Sequence, residues 1–174
     1  MYVFNLGGKQ LRARITIEGD AVKCEFRHYK YDGIKIEWKA TDRGTSLDLD
    51  EMNKLREIVS GLYDHMEAIP NSLKKGEPFH GRIEYLCRRG NRAKISMYKG
   101  VVQFHIRHYG CDEVTKQFYP TRMGVVMCLR ELGILVRTIP RMCQLMSSLE
   151  RQQKDTETKQ NAKRIRLSAY ILAF

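Results

Sequence analysis

The amino-acid sequence predicts an α+β protein made of two tandem β-β-β-β-α repeats. Residues 22–29 and 102–109 share one strand pattern, in which apolar and polar residues alternate and Arg-His-Tyr follows. An offset of 80 residues aligns 6–59 with 86–139 without a gap, and 14 positions are then identical. Average composition would give roughly three identities by chance. We therefore predict a duplicated module, each copy an antiparallel sheet followed by a helix.

The first repeat is predicted to be a four-stranded meander and a helix. Its alternating stretches are 2–6, 12–17, 21–29 and 34–38. Asp32-Gly33 is typical of a hairpin turn. Asp48 and Glu51 have the spacing of a capping box, and apolar residues then recur on one helical face. We expect Pro70 to end this helix.

The second repeat is predicted to copy this pattern. Its strands are expected at 82–87, 92–98, 101–109 and 114–119. Its helix is expected to start near Leu129 and to continue to Leu149 with one apolar face.

The predicted domains follow from these elements. They are a first repeat (1–70), a linker (71–81), a second repeat (82–149) and a mobile polar tail with an apolar end (150–174). Each repeat alone would bury only a marginal core. We therefore expect the two repeats to pack as an intramolecular pseudo-dimer, with helix against helix and the sheets forming a curved basic surface.

The charge of the chain favours a polyanionic partner. Lys and Arg outnumber Asp and Glu by 31 to 20, a net charge of +11. Nucleic acid is the first expectation, ahead of an acidic membrane, and simple solubility is the alternative. Five cysteines without a CxxC pair predict a reduced, intracellular protein. No run of 18 apolar residues predicts a membrane span.

Catalysis has little support in the sequence. His28 and His108 occupy equivalent positions of the repeat, which favours one structural or contact role performed twice. No phosphate loop, nucleophile elbow or HExxH motif is present. The chain is predicted not to be an enzyme and to use no cofactor and no metal.

Nucleic-acid binding has more support, and it is unequal between the repeats. Residues 2–46 contain nine Lys or Arg against six Asp or Glu, and residues 82–126 contain nine against three. Aromatic residues lie among these charges, as in proteins that bind single strands through phosphates and stacked bases. We expect Trp38 and Phe118 to be core residues and Tyr98 to be exposed.

The order of these motifs resembles the positive cofactor four family of transcriptional coactivators. Arg43-Gly44-Thr45-Ser46-Leu47 is similar to the family's Lys-Gly-Ile-Ser-Leu, Tyr98-Lys99-Gly100 to its aromatic-Lys-Gly turn, and 102–109 to its third strand. The resemblance covers about residues 4–61 and 84–142. It implies a four-stranded sheet and a helix that bind single-stranded DNA, normally as a homodimer with a channel for the strand.

Three departures from that pattern predict asymmetry. Glu18-Gly19-Asp20 replaces the aromatic-Lys-Gly turn in the first repeat, and acidic residues there would repel phosphate. Met123 stands where the first repeat has Arg43. The family's tryptophan after the Arg-x-Tyr corner is Lys30 in one repeat and Gly110 in the other. We expect the second repeat to bind nucleic acid more strongly.

The predicted function is binding of single-stranded or locally melted DNA with little sequence preference, in transcription, replication or repair. The candidate contacts are Arg12, Arg14, Arg27, Tyr29, Arg43, Arg88, Arg89, Arg92, Lys94, Tyr98, Lys99, Arg107, Tyr109 and Arg122. For Arg27 and Arg107 the alternative is a structural salt bridge.

Two other functions stay open at this point. One is an RNA-binding protein. The other is a coactivator that contacts a transcription or replication protein, with residues 167–174 docked on the partner. The chain is expected to be a monomeric pseudo-dimer or a homodimer, without membrane association, and nuclear if it is eukaryotic or from a virus that replicates in the nucleus.

Overall fold

The computed structural model describes residues 2–7, 10–87 and 90–172, with side chains up to residue 160. The first sheet contains β1 (Tyr2–Gly7), β2 (Leu11–Glu18), β3 (Ala21–Asp32) and β4 (Glu37–Leu47), and α1 (Leu49–Lys74) follows it. The second sheet contains β5 (Arg82–Tyr85), β6 (Asn91–Tyr98), β7 (Val101–Cys111) and β8 (Phe118–Met127), and α2 (Leu129–Leu172) follows it. Both sheets are antiparallel, with their strands in chain order. The tandem β-β-β-β-α arrangement is thus confirmed.

The fourth strand of each sheet begins later than predicted. Ile34 and Ile36 do not lie in a strand, and they are 95% and 78% exposed. Asp32 ends β3 instead, because its side chain accepts hydrogen bonds from the backbone of Ile34 (3.0 Å) and Lys35 (3.2 Å). The apolar alternation at 34–38 is therefore a turn and the start of β4. The strand predicted at 114–119 also starts too early: Asp112 accepts hydrogen bonds from the backbone of Val114 (2.9 Å) and Thr115 (2.7 Å), and β8 begins only at Phe118.

The two long hairpins each contain a bulge and continue as an arm. The register of β3 on β4 shifts between Arg27 and Tyr29, and that of β7 on β8 shifts between Arg107 and Tyr109. Beyond the bulge, Tyr31 pairs with Trp38 and their rings lie 5.4 Å apart. We call residues 29–40 the first arm and 109–120 the second arm.

The arms change the position of two aromatic residues. Trp38 is only half-buried and Phe118 is 41% exposed, so the prediction that both are core residues is wrong. They lie on the arms, past the point where β3 and β7 leave the core. A bulge shifts the alternation of faces, so the apolar pattern before it does not predict burial after it.

Helix α1 has the predicted start and a different end. Asp48 accepts from the backbone of Glu51 at 2.8 Å, and the Glu51 carboxylate accepts from the backbone of Asp48 at 3.2 Å, which confirms the capping box. The helix then passes through Pro70 to Lys74, so the expected end at Pro70 is wrong. Burial of Ile69 and packing of Leu73 on the core hold the turn beyond the proline. Residues 71–74 of the predicted linker therefore belong to α1.

Helix α2 includes most of the predicted tail. It runs without interruption to Leu172, where a mobile segment was expected from residue 150 onward. The residues from 150 to 161 are polar, but Glu, Gln, Lys and Arg among them are good helix formers. Low hydrophobicity therefore excluded a buried core for this segment without excluding a helix. The side chains of residues 161–174 lie outside the described part.

Both repeats contribute to one hydrophobic core. Phe26, Leu55 and Val59 from the first repeat and Phe104 and Leu135 from the second are fully or almost fully buried in the same cluster. Polar contacts also cross between the repeats. The Thr45 hydroxyl donates to the Asn91 side-chain oxygen at 2.9 Å, and the Asn91 amide donates to the Glu51 carboxylate at 3.0 Å.

Candidate nucleic-acid interface

A cleft lies where β3 and β4 of the first sheet meet β7 and β8 of the second. Its volume is about 850 Å³. We call it the seam cleft, and it is lined by His28, Tyr29, Lys30, Thr41, Asp42, Arg43, Arg107, Arg122, Gly124 and Val126. Four of these side chains are cationic and one is a carboxylate. The first repeat supplies Lys30 and Arg43, and the second supplies Arg107 and Arg122, so the cationic surface is built by both repeats.

Local chemistry at the bulge positions Arg107 in this cleft. Its guanidinium donates to the Thr121 carbonyl at 2.7 Å, and the Thr121 hydroxyl donates to the His108 carbonyl at 2.8 Å. Arg107 pairs across the strands with Gly124. A Cβ on Gly124 would lie 2.8 Å from the Ile106 carbonyl and 3.1 Å from Arg107, so a larger residue would crowd the arginine. The absence of a side chain at Gly124 thus leaves room for the Arg107 side chain to pass over β8 to the Thr121 carbonyl.

The first repeat repeats this arrangement with one addition. Arg27 donates to the Thr41 carbonyl at 2.6 Å, but it also pairs with Glu25. Arg14 donates to the same carboxylate, from Nε at 3.0 Å. Burial by itself would raise the pKa of Glu25, but hydrogen bonds from Arg14 and Arg27 outweigh it and hold that pKa below its ordinary value. Glu25 is therefore ionised and offsets the charge of these two candidate residues.

The second repeat has His105 in the position of Glu25. Burial, together with the nearby charges of Arg107 and Lys94, lowers the pKa of His105 to about 4. The neutral ring contacts the Ser96 hydroxyl at 2.9 Å. Among the described residues, neither Lys94 nor Arg107 has a carboxylate within ion-pair distance. The outer face of the second sheet therefore has uncompensated positive charge that continues into the seam cleft.

Two candidate residues of the second repeat are buried together. Arg92 is 8% exposed, and its guanidinium carbon lies 4.2 Å from the ring centroid of Tyr109, 4.6 Å from that of Tyr85 and 4.8 Å from that of Phe118. Tyr109 is also only 8% exposed. These cation–π contacts hold the second arm to the sheet, and neither side chain is available to a ligand in this arrangement.

The equivalent pair of the first repeat is less crowded. The guanidinium carbon of Arg12 lies 4.3 Å from the ring centroid of Tyr29. Both side chains are half-buried, and Tyr29 also lines the seam cleft.

The turn between β6 and β7 presents an aromatic and a cationic side chain together. Tyr98 is 62% exposed, as predicted, and the Lys99 amine lies 5.6 Å from its ring centroid. Lys99 and Gly100 have φ of 50° and 76°, the backbone of a tight primed hairpin turn. At the equivalent turn of the first repeat, Lys23 contacts Glu18 at 3.3 Å, so a carboxylate occupies that end of the sheet.

His28 joins the two repeats in the wall of the seam cleft. Its Nε2 atom accepts a hydrogen bond from the Val126 backbone at 3.2 Å. Burial, with a contribution from Arg43, holds the pKa of His28 below its ordinary value, although the charge of Glu131 opposes the shift. A neutral ring is the form that accepts this bond.

The structure brings together only part of the predicted site. Arg43, Arg107, Arg122 and Tyr29 line the seam cleft, while Lys94, Tyr98 and Lys99 lie on the second sheet and its turn. Arg88 and Arg89 lie outside the described residues. Lys30 and Asp42 line the cleft and are absent from the predicted site. Their signal was adjacency to predicted contacts, because Lys30 follows Tyr29 and Asp42 precedes Arg43 in the sequence.

Two other kinds of feature are absent from the part of the chain that the structure describes. Within residues 2–7, 10–87 and 90–172, no group of His, Cys, Asp and Glu side chains is arranged to hold a metal ion. In the same ranges, neither helix has the length and apolar composition needed to cross a bilayer. A scan against protein-family models finds no match to the chain, and a search of curated proteins finds none either. The resemblance to positive cofactor four therefore stays a prediction that rests on its motifs.

Proposed function

We propose that this protein binds single-stranded or locally melted DNA with little sequence preference, and that the seam cleft is its main contact surface. The single observation that supports this most is the meeting of Lys30, Arg43, Arg107 and Arg122 in one open cleft. Cationic side chains at this density attract the phosphate backbone of a nucleic acid. Phosphate contacts carry no sequence information, which is why we propose weak sequence preference.

The preference for a single strand is supported by exposed aromatic surface. Tyr98 offers a ring face next to the amine of Lys99, and unpaired bases can stack on such a face while the amine contacts a phosphate. The uncompensated charge of Lys94 and Arg107 lies on the same sheet. Bases in an intact duplex are already stacked on each other, so they gain little from this surface.

The two repeats act as an intramolecular pseudo-dimer in this proposal. Support comes from the shared hydrophobic core and from contacts such as His28 with Val126, which join the repeats next to the cleft. A site lined by residues of both repeats requires them to stay together. A place in transcription, replication or repair, and a nuclear location, remain predictions.

The test is fluorescence anisotropy with labelled single-stranded and double-stranded oligonucleotides of one sequence at several salt concentrations. The variant is Arg43→Glu with Arg122→Glu, because both side chains are exposed and line the cleft. The matched control is Lys54→Glu with Arg137→Glu, which makes the same charge change on exposed helix positions.

We expect tighter binding to the single strand and a loss of about tenfold or more in the cleft variant only. Two lost phosphate contacts should also flatten the slope of log K against log salt by about 1.4. An equal loss of affinity in the cleft variant and the control variant would show a nonspecific charge effect. It would contradict the assignment of the seam cleft as the binding site. A matched RNA oligonucleotide that competes better than DNA would instead identify an RNA-binding protein.

A further inference from the structure

The positions that build the seam cleft have counterparts at an offset of 80 residues, and most of the cationic ones carry a different side chain there. Gly110 corresponds to Lys30, and Met123 corresponds to Arg43. We call these two positions, with Arg27 in place of Arg107 and Asp42 in place of Arg122, the counterpart site. Three of the four cations that line the seam cleft are therefore absent from the counterpart site, and Asp42 is a carboxylate that itself lines the seam cleft.

The backbone at Gly110 is also covered. Gly110 pairs with Tyr119 across the second arm, whereas Lys30 pairs with Lys39 across the first. A Cβ on Gly110 would lie 2.7 Å from the Tyr119 ring and 2.8 Å from its hydroxyl. This arrangement leaves no room for a side chain at 110 unless Tyr119 moves. The aromatic ring thus occupies the space that a cation would need.

The remaining cation of the counterpart site is held in an ion pair. Arg27 shares the Glu25 carboxylate with Arg14, and that carboxylate is ionised. Arg107 has neutral His105 in the equivalent place. Among the described residues, the same strand position therefore holds a cation without an ion pair in one repeat and part of an ion-pair network in the other.

We infer that the chain binds one single strand at one composite site, and that the counterpart site does not bind. This inference rests on the proposed function. The composite site takes Lys30 and Arg43 from the first repeat and Arg107 and Arg122 from the second, so neither repeat is a binding unit by itself. One composite site would thus take the place of the expected pair of a weaker and a stronger half-site.

The first test is binding stoichiometry by native mass spectrometry and titration calorimetry. The probe is oligothymidylate of about 10 nucleotides, within the span that one small binding fold covers. We expect one oligonucleotide per chain. Two per chain, with binding otherwise normal, would overturn the composite site and leave the proposed function intact. No binding would overturn both.

The second test compares mirrored variants. Lys30→Gln with Arg43→Met removes the two cations that the first repeat contributes to the seam cleft. Both side chains are exposed, so folding should be retained. Arg27→Gln removes the counterpart cation while Arg14 still pairs with Glu25. We expect a loss of about tenfold or more in affinity for the first variant, which loses two phosphate contacts, and less than about twofold for the second. Similar losses in both, with unchanged urea midpoints, would show two working sites and overturn the inference.

Discussion

The buried side chain of Asn91 should contribute strongly to stability, and its removal is the most direct test of how the repeats are joined. The Asn91 amide donates to the Glu51 carboxylate at 3.0 and 3.1 Å and to the Ser46 carbonyl at 3.0 Å, and its oxygen accepts from Thr45 at 2.9 Å. Asn91 and Glu51 are each 7% exposed, and Thr45 is 4% exposed. Water therefore cannot easily replace the lost amide.

The expected magnitude follows from these partners. A buried hydrogen bond to a charged group contributes about 1.5–3 kcal/mol, and a neutral one contributes about 1 kcal/mol. Asn91→Ala removes one bond of the first kind and two of the second, and the Glu51 carboxylate retains the Asp48 backbone as a donor. We expect the free energy of unfolding to fall by about 3 kcal/mol, after local relaxation offsets part of the sum.

Urea denaturation followed by circular dichroism and Trp38 fluorescence measures this change. Asn5→Ala is the matched control, because Asn5 is exposed on β1, and it should change the free energy of unfolding by less than about 0.5 kcal/mol. Near neutral pH, Asn91→Asp should lower the free energy of unfolding more than Asn91→Ala does, since it places a second carboxylate against Glu51. A loss below about 1 kcal/mol for Asn91→Ala would refute the view that these bonds hold the repeats together.

Three further predictions address the second sheet. The pKa of His105 is about 4 in the folded protein against an ordinary 6.5, so stability should be complete above about pH 6.5 and fall as the pH approaches 4. His105→Gln should remove that part of the pH dependence in urea midpoints measured from pH 7 to 4. Tyr98→Ala should cost about 1–3 kcal/mol in binding free energy for a single strand in anisotropy titrations, with no effect on the urea midpoint. Gly124→Ala should lower the free energy of unfolding by about 1–3 kcal/mol, because its Cβ would crowd Ile106 and Arg107.

These predictions have distinct controls. The His105 prediction fails if wild type and His105→Gln lose stability in parallel on acidification. Tyr2→Ala is the control for Tyr98, because Tyr2 is 48% exposed on β1 beside α2, and equal losses would contradict base stacking at Tyr98. For Gly124, an unchanged urea midpoint would show that Arg107 can move without cost.

The sequence predicted elements whose signal is local and repeated. Alternation over 21–29 and 101–109 predicted two core strands, and the spacing of Asp48 and Glu51 predicted the start of α1. The fourth strands were misplaced because alternating apolar residues at 34–38 look like a strand, while the turn that delays β4 depends on hydrogen bonds from the Ile34 and Lys35 backbone to Asp32. The continuation of α1 through Pro70 depends on contacts that no local pattern contains.

By itself, the sequence determined the duplication, the β-β-β-β-α order and the excess of positive charge, because each is a property of neighbouring residues or of totals. Only the tertiary structure decided which cations are free. Arg27 and Arg107 look equivalent in the sequence, yet one shares Glu25 with Arg14 and the other opens into a cleft completed by Lys30 and Arg43 from the other repeat. Ion pairing and cleft formation depend on distances across strands and between repeats, and a linear pattern does not specify those distances.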